Sequence, residues 1–315
     1  MKLVVQIPCL NEEKTLASVL ADIPRKIDGI DEIVVLIVDD GSTDKTVAVA
    51  REHGVKDFVF HTRNRGLGRS FHDGVERALS LGADIVVNTD GDNQYPQDRI
   101  ADLVQPILAG EADIVIADRQ THTIEHFSAI KKLLQRFGSK VVNVAAGTDL
   151  PDAASGFRAY SKESLMQLNT ITRFSYCMET IIQAGNKRLA ISSIPVTTNA
   201  PTRESRLFKS TREHVMKSAA AIVRAYIMYK PYLVFGWLGT ILLALGSIPF
   251  ARFLYLTATD HQGRGHLQSL IIGSILLTGA FLCLVLNIIA DLIRINRVLI
   301  ELNLEHTKRL RFGNE

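Results

Sequence analysis

Over the first 120 residues, short runs of Val, Ile and Leu alternate with longer stretches of mixed polarity. The runs Leu3–Ile7, Ile33–Val38, Asp57–His61, Asp84–Asn88 and Ala112–Ala117 show little in–out alternation, as expected of strands buried on both faces of a mostly parallel sheet. Between them, Asn11–Ile23, Asp44–His53 and Gly68–Leu81 read as helices. The first opens on acids that suit a helix N-terminus, and Gly54 and Gly82 stand where the other two need a C-cap. This βαβαβαβαβ order predicts a doubly wound α/β domain. Further on, a helix is expected from Ile124 toward Ala145, loop and strand over Asp152–Ser161, a helix over Arg173–Ala184 and a strand over Leu189–Thr197.

The pattern changes near the C-terminus. Pro231–Ala251 runs 21 residues without a charge and Leu267–Ala290 runs 24. About 20 apolar residues cross a hydrocarbon core of about 30 Å, so both qualify as membrane spans, with a pair of buried core helices as the alternative. The stretch Thr211–Lys230 carries four Lys or Arg, Asp291–Arg311 carries five, and the connection Arg252–His266 carries two. The positive-inside rule then places the N-terminal domain and both termini in the cytoplasm. Val215, Ala219, Ile222, Tyr226 and Tyr229 recur at helical spacing, which predicts an interfacial amphipathic helix over 211–230 or, alternatively, a solvated helix packed on the domain. The segments are thus 1–210, 211–230, 231–251, 267–290 and a basic tail 291–315.

Composition adds little. The 315 residues hold 36 Lys+Arg and 33 Asp+Glu, too small an excess to suggest a nucleic-acid partner. Cys9, Cys177 and Cys283 are too scattered for a disulfide framework or a zinc site and read as small buried hydrophobes. Lys2 precedes an apolar run that stops at Pro8, too short for a signal peptide.

Candidate chemistry lies at the strand ends, where such sheets bind ligands. Pro8–Glu13, Asp39–Asp44 and Thr89–Gln94 each follow a strand and should converge on one edge. Asp90 and Asp92, two residues apart on a turn with Gly91, can face one hard divalent cation, Mg2+ or Mn2+. Asp39 and Asp40 fit recognition of base and ribose hydroxyls, with Pro8, Asn11 and Glu12 as the opposite wall; a capped turn with Asp44 as N-cap is the plainer reading. The segment Gly66-Leu67-Gly68 lacks the third glycine of a dinucleotide fingerprint, since position 71 is Phe71, and no P-loop occurs.

Together, Pro8-Cys9-Leu10-Asn11-Glu12-Glu13, Val38–Asp44, Asn64–Gly74 and Thr89–Pro96 resemble the family-2 inverting glycosyltransferases of the GT-A fold, most nearly the polyisoprenyl-phosphate enzymes of the dolichol-phosphate mannose synthase type. The likeness covers about residues 1–210. It implies a Rossmann-like GT-A domain followed by a two-helix transmembrane hairpin. By position, it assigns Asp90, Asp92 and Gln94 to the metal, and Pro8, Asn11, Glu12, Asp39, Asp40 and Asp90 to the donor nucleotide. Arg119 matches an arginine near both phosphates; Asp152 and Ser155-Gly156-Phe157-Arg158 match the acceptor-side motif; Arg203, Ser205 and Arg206 match a loop closing over phosphates. Glu204 stands in that loop where glycine is often found. Asp152, Arg119 and Asp92 are the catalytic candidates. The implied reaction moves a hexose or N-acetylhexosamine from a nucleotide sugar, UDP-sugars ranked ahead of GDP-mannose, to a polyisoprenyl phosphate at the membrane. Homo-oligomerisation through the membrane helices is left open. A processive polysaccharide synthase would share the donor domain but carries an acceptor motif ending in Trp, whereas Trp237 lies inside the first span. A non-catalytic scaffold would not need the Asp90/Asp92 pair.

Overall fold

The computed structural model describes residues 1–120, 129–170, 176–199, 216, 231–259 and 267–313. The chain divides into two compact parts, Met1–Ser218 with Glu301–Glu315, and Ala219–Ile300. In the first, strands β1 (Lys2–Cys9), β2 (Glu32–Asp39), β3 (Asp57–Phe60), β4 (Ile85–Asn88), β5 (Ile114–Asp118), β6 (Arg158–Ser161) and β7 (Ile191–Pro195) form one sheet in the order β3-β2-β1-β4-β6-β5-β7. All pairings are parallel except those of β6, which runs antiparallel between β4 and β5. The helices are α1 (Leu16–Asp22), α2 (Thr46–Glu52), α3 (Leu67–Ser80), α4 (Ile100–Leu108), α5 (Ala129–Ala146), α6 (Lys162–Gln167) and α7 (Tyr176–Asn186).

The mainly apolar runs of β1, β2 and β4, with Gln6 the one polar side chain inside them before Asn88, lie within the sheet and not at its edges. Leu3, Val4, Val5 and Ile7, Leu36, Ile37 and Val38, and Val86 and Val87 are wholly inaccessible to solvent. Removing both faces of these strands from water, at roughly 1.5–3 kcal/mol for a fully buried Val, Leu or Ile, supplies the drive that short strands lack in isolation. The first helix starts at Leu16 rather than Asn11, because Asn11 adopts a left-handed backbone (φ 56°) and begins a turn instead.

Two long helices make up most of the rest, α8 (Pro231–Thr259) and α9 (Leu267–Phe312). Helix α8 runs past the expected end at Ala251, and α9 continues to Phe312 through most of the stretch read as a basic tail. Both are long and apolar enough to cross a membrane. Core helices of a soluble protein would be covered; these leave Trp237 66%, Ile248 68%, Ile275 66% and Phe281 65% exposed. The hairpin packs through small residues. A Cβ at Gly246 would lie 2.9 Å from Leu276 Cβ, and one at Gly273 3.0 Å from Phe250 N, so the backbones approach as closely as glycine allows. Thr240 and Ser247 donate their hydroxyls to carbonyls four residues back, Gly236 and Leu243, so neither hydroxyl is left bare in an apolar setting. Apart from Met216, the expected interfacial helix lies outside the described residues.

Candidate active site

The three polar clusters at the strand ends are stitched to one another. Asn11 N–H donates to Ser42 Oγ (2.9 Å), and Asn11 Oδ1 accepts from Thr43 N–H (2.7 Å). Glu12 N–H donates to Thr46 Oγ1 (2.7 Å), and Thr15 Oγ1 donates to Gly91 O (2.7 Å). A Cβ at Gly91 would stand 3.2 Å from both Cys9 Sγ and Glu12 Cγ, so the carboxylate turn sits directly on the first cluster. Burial pushes the Cys9 thiol well up, with Glu12 and Asp39 adding to the effect, which leaves it an inert packing group.

Asp39 and Asp40 part company here. Asp39 is 6% exposed and Oδ1 accepts from Ser42 N–H (3.2 Å). Asp40 is engaged inside the protein. Its Oδ1 lies 2.6 Å from His61 Nδ1 and accepts from Arg65 N–H (2.8 Å), while Oδ2 accepts from Gly66 N–H (3.0 Å). On its other side, His61 Nε2 lies 3.0 Å from Asp73 Oδ2. Asp40 therefore shapes the 61–66 loop, which leads into α3, rather than facing a ligand with free oxygens. Gly41 beneath this loop has φ +82°, and a Cβ there would come within 2.9 Å of the Arg63 backbone. Helix α2 has Lys45 rather than Asp44 at its N-cap and no side-chain cap bond; Asp44 stands one residue earlier, where its Oδ1 accepts from Thr46 N–H (2.9 Å) and shapes the turn into the helix.

After β4, Asp92 Oδ1 accepts from Gln94 N–H (3.2 Å), and Oδ2 from Gln94 Nε2 (2.9 Å), with Asn93 between them at φ 59°. Asn199, beyond β7, holds this turn from outside by donating to Gln94 O (2.9 Å) and Asn93 O (3.0 Å). Among the described residues no group of three His, Cys, Asp or Glu is placed to enclose a metal. Asp90 and Asp92 stand on either side of Gly91 in this turn, and Gln94 is tied to Asp92 through its side-chain amide.

The Ser155–Arg158 segment meets this turn. Gly156 is packed so that a Cβ would lie 3.4 Å from Asp90 Oδ2 and 3.3 Å from the Tyr176 hydroxyl. Gly156 N–H donates to Tyr95 Oη (3.1 Å), and Gly156 O accepts from Asn88 Nδ2 (3.1 Å) and Tyr176 Oη (2.9 Å). Burial pushes the Tyr95 phenol up to about 12, keeping it protonated. Asn88, Tyr176 and Gln6, whose Nε2 donates to Asn88 Oδ1 (3.2 Å), form a wholly buried polar floor that the sequence reading missed. Asn88 closes an apolar run, and that polar intrusion was its signal.

Arg119 and Asp152 form a two-pronged pair: Nε–Oδ2 is 2.7 Å and Nη2–Oδ1 3.0 Å. Burial alone would raise the Asp152 carboxyl, but the Arg119 charge and hydrogen bonds outweigh it and hold it below the ordinary carboxylate value. Arg119 keeps 21% of its side chain exposed against 1% for Asp152, so the arginine is the partner that solvent reaches. Arg158 corrects the sequence reading. It is wholly buried, and its guanidinium donates to Ser155 O (2.6 Å), Cys177 O (2.9 Å), Ala153 O (3.0 Å) and Thr180 Oγ1 (3.0 Å). No face remains for a phosphate; it braces the loop that carries Asp152 and Gly156. Arg203, Ser205 and Arg206 lie outside the described residues. Pro8 sits in β1, paired in register with Val38.

Residues 4–168 match the model of glycosyl transferase family 2. A UDP-N-acetylglucosamine–dolichyl-phosphate N-acetylglucosaminyltransferase of Methanococcus voltae is 30% identical over 61% of this chain and 83% of its own length. A polyprenol monophosphomannose synthase of Mycolicibacterium smegmatis is 26% identical over 61% and 76%. Among solved structures, glucosyl-3-phosphoglycerate synthase from Mycobacterium tuberculosis with Mn2+ and UDP-glucose superposes with a TM-score of 0.55 at 27% identity, covering 71% of this chain and 78% of that one.

Proposed function

The chain belongs to glycosyl transferase family 2, and on that premise we propose that it transfers a hexosyl or N-acetylhexosaminyl group, with inversion, from a nucleotide sugar to a polyisoprenyl phosphate. The observation that supports this reading is the packing of Gly156, in the segment that resembles the acceptor-side motif, against Asp90, in a chain that bears its own pair of apolar helices. The named relatives that use dolichyl or polyprenol phosphate support the acceptor class.

The chemistry asks little of a base. A phosphate monoester has its second pKa near 6, so the lipid phosphate is already an anionic nucleophile at neutral pH. Asp152, held ionised by Arg119, is a poor proton acceptor and acts as the positioning residue for that arginine. Arg119 supplies fixed positive charge and fork-shaped donors where two phosphate groups must be brought together. Asp90, Asp92 and Gln94 would hold Mg2+ or Mn2+, which supplies Lewis-acid stabilisation to a departing nucleoside diphosphate. Asp39, Asn11, Glu12 and Pro8 would form the nucleotide wall, with Asp40 keeping its loop in place. UDP-sugars are the donors ranked first. The basic flanks of the two apolar helices support a cytoplasmic site.

The test is incubation of the purified protein with a panel of UDP- and GDP-sugars, polyprenyl phosphate and Mn2+ or Mg2+, followed by mass spectrometry of the lipid. One monosaccharide added per lipid phosphate is expected, and Asp92→Asn should abolish it. A growing polymer, or release of free sugar only, overturns the reading.

A further inference from the structure

The end of α9 belongs to the catalytic part of the molecule, not to the hairpin. Lys308 is only 9% exposed, and its Nζ donates to Leu168 O (2.6 Å) and Leu165 O (3.2 Å). Lys187, just after α7, donates to Gln167 O (2.6 Å) and lies 3.6 Å from Glu301 of α9. The last carbonyls of a helix have no partner within it and carry partial negative charge. Here two ammonium groups, one of them from α9, cap the C-terminal end of α6. At the opposite end of α6, Arg309 forks onto Glu163, with Nη1–Oε2 at 2.9 Å, while Glu305 steadies the guanidinium from one turn back (Oε1–Nε 3.1 Å). Phe312 is buried and lines a small cavity with Leu79, Ser80 and Gly82 at the end of α3.

The two helices gripped in this way lead straight to the site. Helix α6 follows β6, whose first residue is Arg158, and α3 follows the loop that Asp40 holds. The contact is charge-matched and specific, since acids and carbonyls of the domain meet bases of the segment on both ends of one short helix.

We propose that residues 301–312 are an intramolecular docking segment, a second attachment of the catalytic domain to the membrane hairpin beside the covalent link through residues 200–230, needed for using a membrane-borne acceptor but not for donor chemistry. The proposal rests on the polyisoprenyl phosphate reading above. A nucleotide sugar reaches the cleft from solution whatever the domain's attitude. An acceptor confined to the bilayer plane does not, and a second tether raises its effective concentration at the site by restricting the domain.

Arg309→Glu breaks the fork, and Glu163→Arg in the same chain restores it with charges reversed. Amide hydrogen exchange over 301–312 reads docking without any reaction, and should quicken by about tenfold or more in Arg309→Glu and recover in the double variant. Transfer to long-chain polyprenyl phosphate in vesicles should fall by roughly tenfold and recover likewise. Transfer to a short, water-soluble prenyl phosphate, and UDP binding, should stay within about twofold of wild type. Unchanged exchange in Arg309→Glu, an equal fall with both acceptors, or no fall with either overturns the proposal. A wild-type protein that uses neither prenyl phosphate overturns the acceptor reading, and this role for the segment with it; exchange then still decides whether the segment docks.

Discussion

At the scale of single residues, the two arginines flanking the acceptor loop make opposite predictions. Arg158 is spent on three backbone carbonyls and a hydroxyl, so Arg158→Met strands buried acceptors and should lower unfolding free energy by more than about 2 kcal/mol in urea titration. Arg119→Met combined with Asp152→Asn, so that no bare carboxylate is left buried, should cost far less stability but abolish transfer, since Arg119 is the partner that solvent reaches. A phosphate-binding Arg158 would show the reverse, a raised KM with the fold untouched. Asp152 carries a pH signature. Its carboxyl is held below its unfolded value near ~3.9, so the Arg119 pair stabilises fully above that pH and progressively less as pH falls through the lower folded value. The melting-temperature gap between wild type and Asp152→Asn should thus be constant from pH 8 to about 5 and shrink below about 4. A gap that widens on acidification would contradict the ion pair. Sequence alone does not separate these arginines: both sit beside strands, and only burial and the direction of β6 tell brace from ligand.

Among elements, the buried strands were legible because fully apolar runs have few other uses, and β1, β2 and β4 extend at most two residues beyond the expected ends. Direction was not legible for β6. Four residues carry no polarity signal, and its antiparallel insertion depends on partners far along the chain. The convergence of three polar clusters could be read from their common position after strands, whereas the stitching among them, such as Thr15 onto Gly91, could not. Glycines at these joints are the sensitive points. Gly41→Ala meets both a positive φ and the Arg63 backbone at 2.9 Å, so it should destabilise the domain by more than about 1 kcal/mol and weaken UDP binding by moving the 63–66 loop. Gly82→Ala has a similar φ but open space around it, and should leave UDP binding unchanged. In the hairpin, Gly246→Leu cannot be absorbed against Leu276 and Leu277 and should part α8 from α9. Loss of a disulfide engineered between Gly239→Cys and Cys283, whose Cβ lies 3.2 Å from the built Cβ of Gly239, would report it on a non-reducing gel.

For the whole molecule, the charge asymmetry around two exposed apolar helices predicts a reporter after Glu315 in the cytoplasm and a tag at Gly263 on the far side, which thiol or protease accessibility in sealed vesicles would check. Swapped labelling would remove the site from the compartment that holds nucleotide sugars. The division of the chain adds a dimension of time. The catalytic part takes its first stretch from Met1–Ser218 and its last from Glu301 onward, with the whole hairpin in between. At about 5–20 residues per second, the ribosome spends on the order of 4–16 s making the roughly 80 residues that separate them. During that interval the sheet can form while the carbonyls of α6 still wait for Lys308. The domain is therefore completed only after both apolar helices have been synthesised, and chains cut short within or before them lack the Lys308 contacts that cap α6.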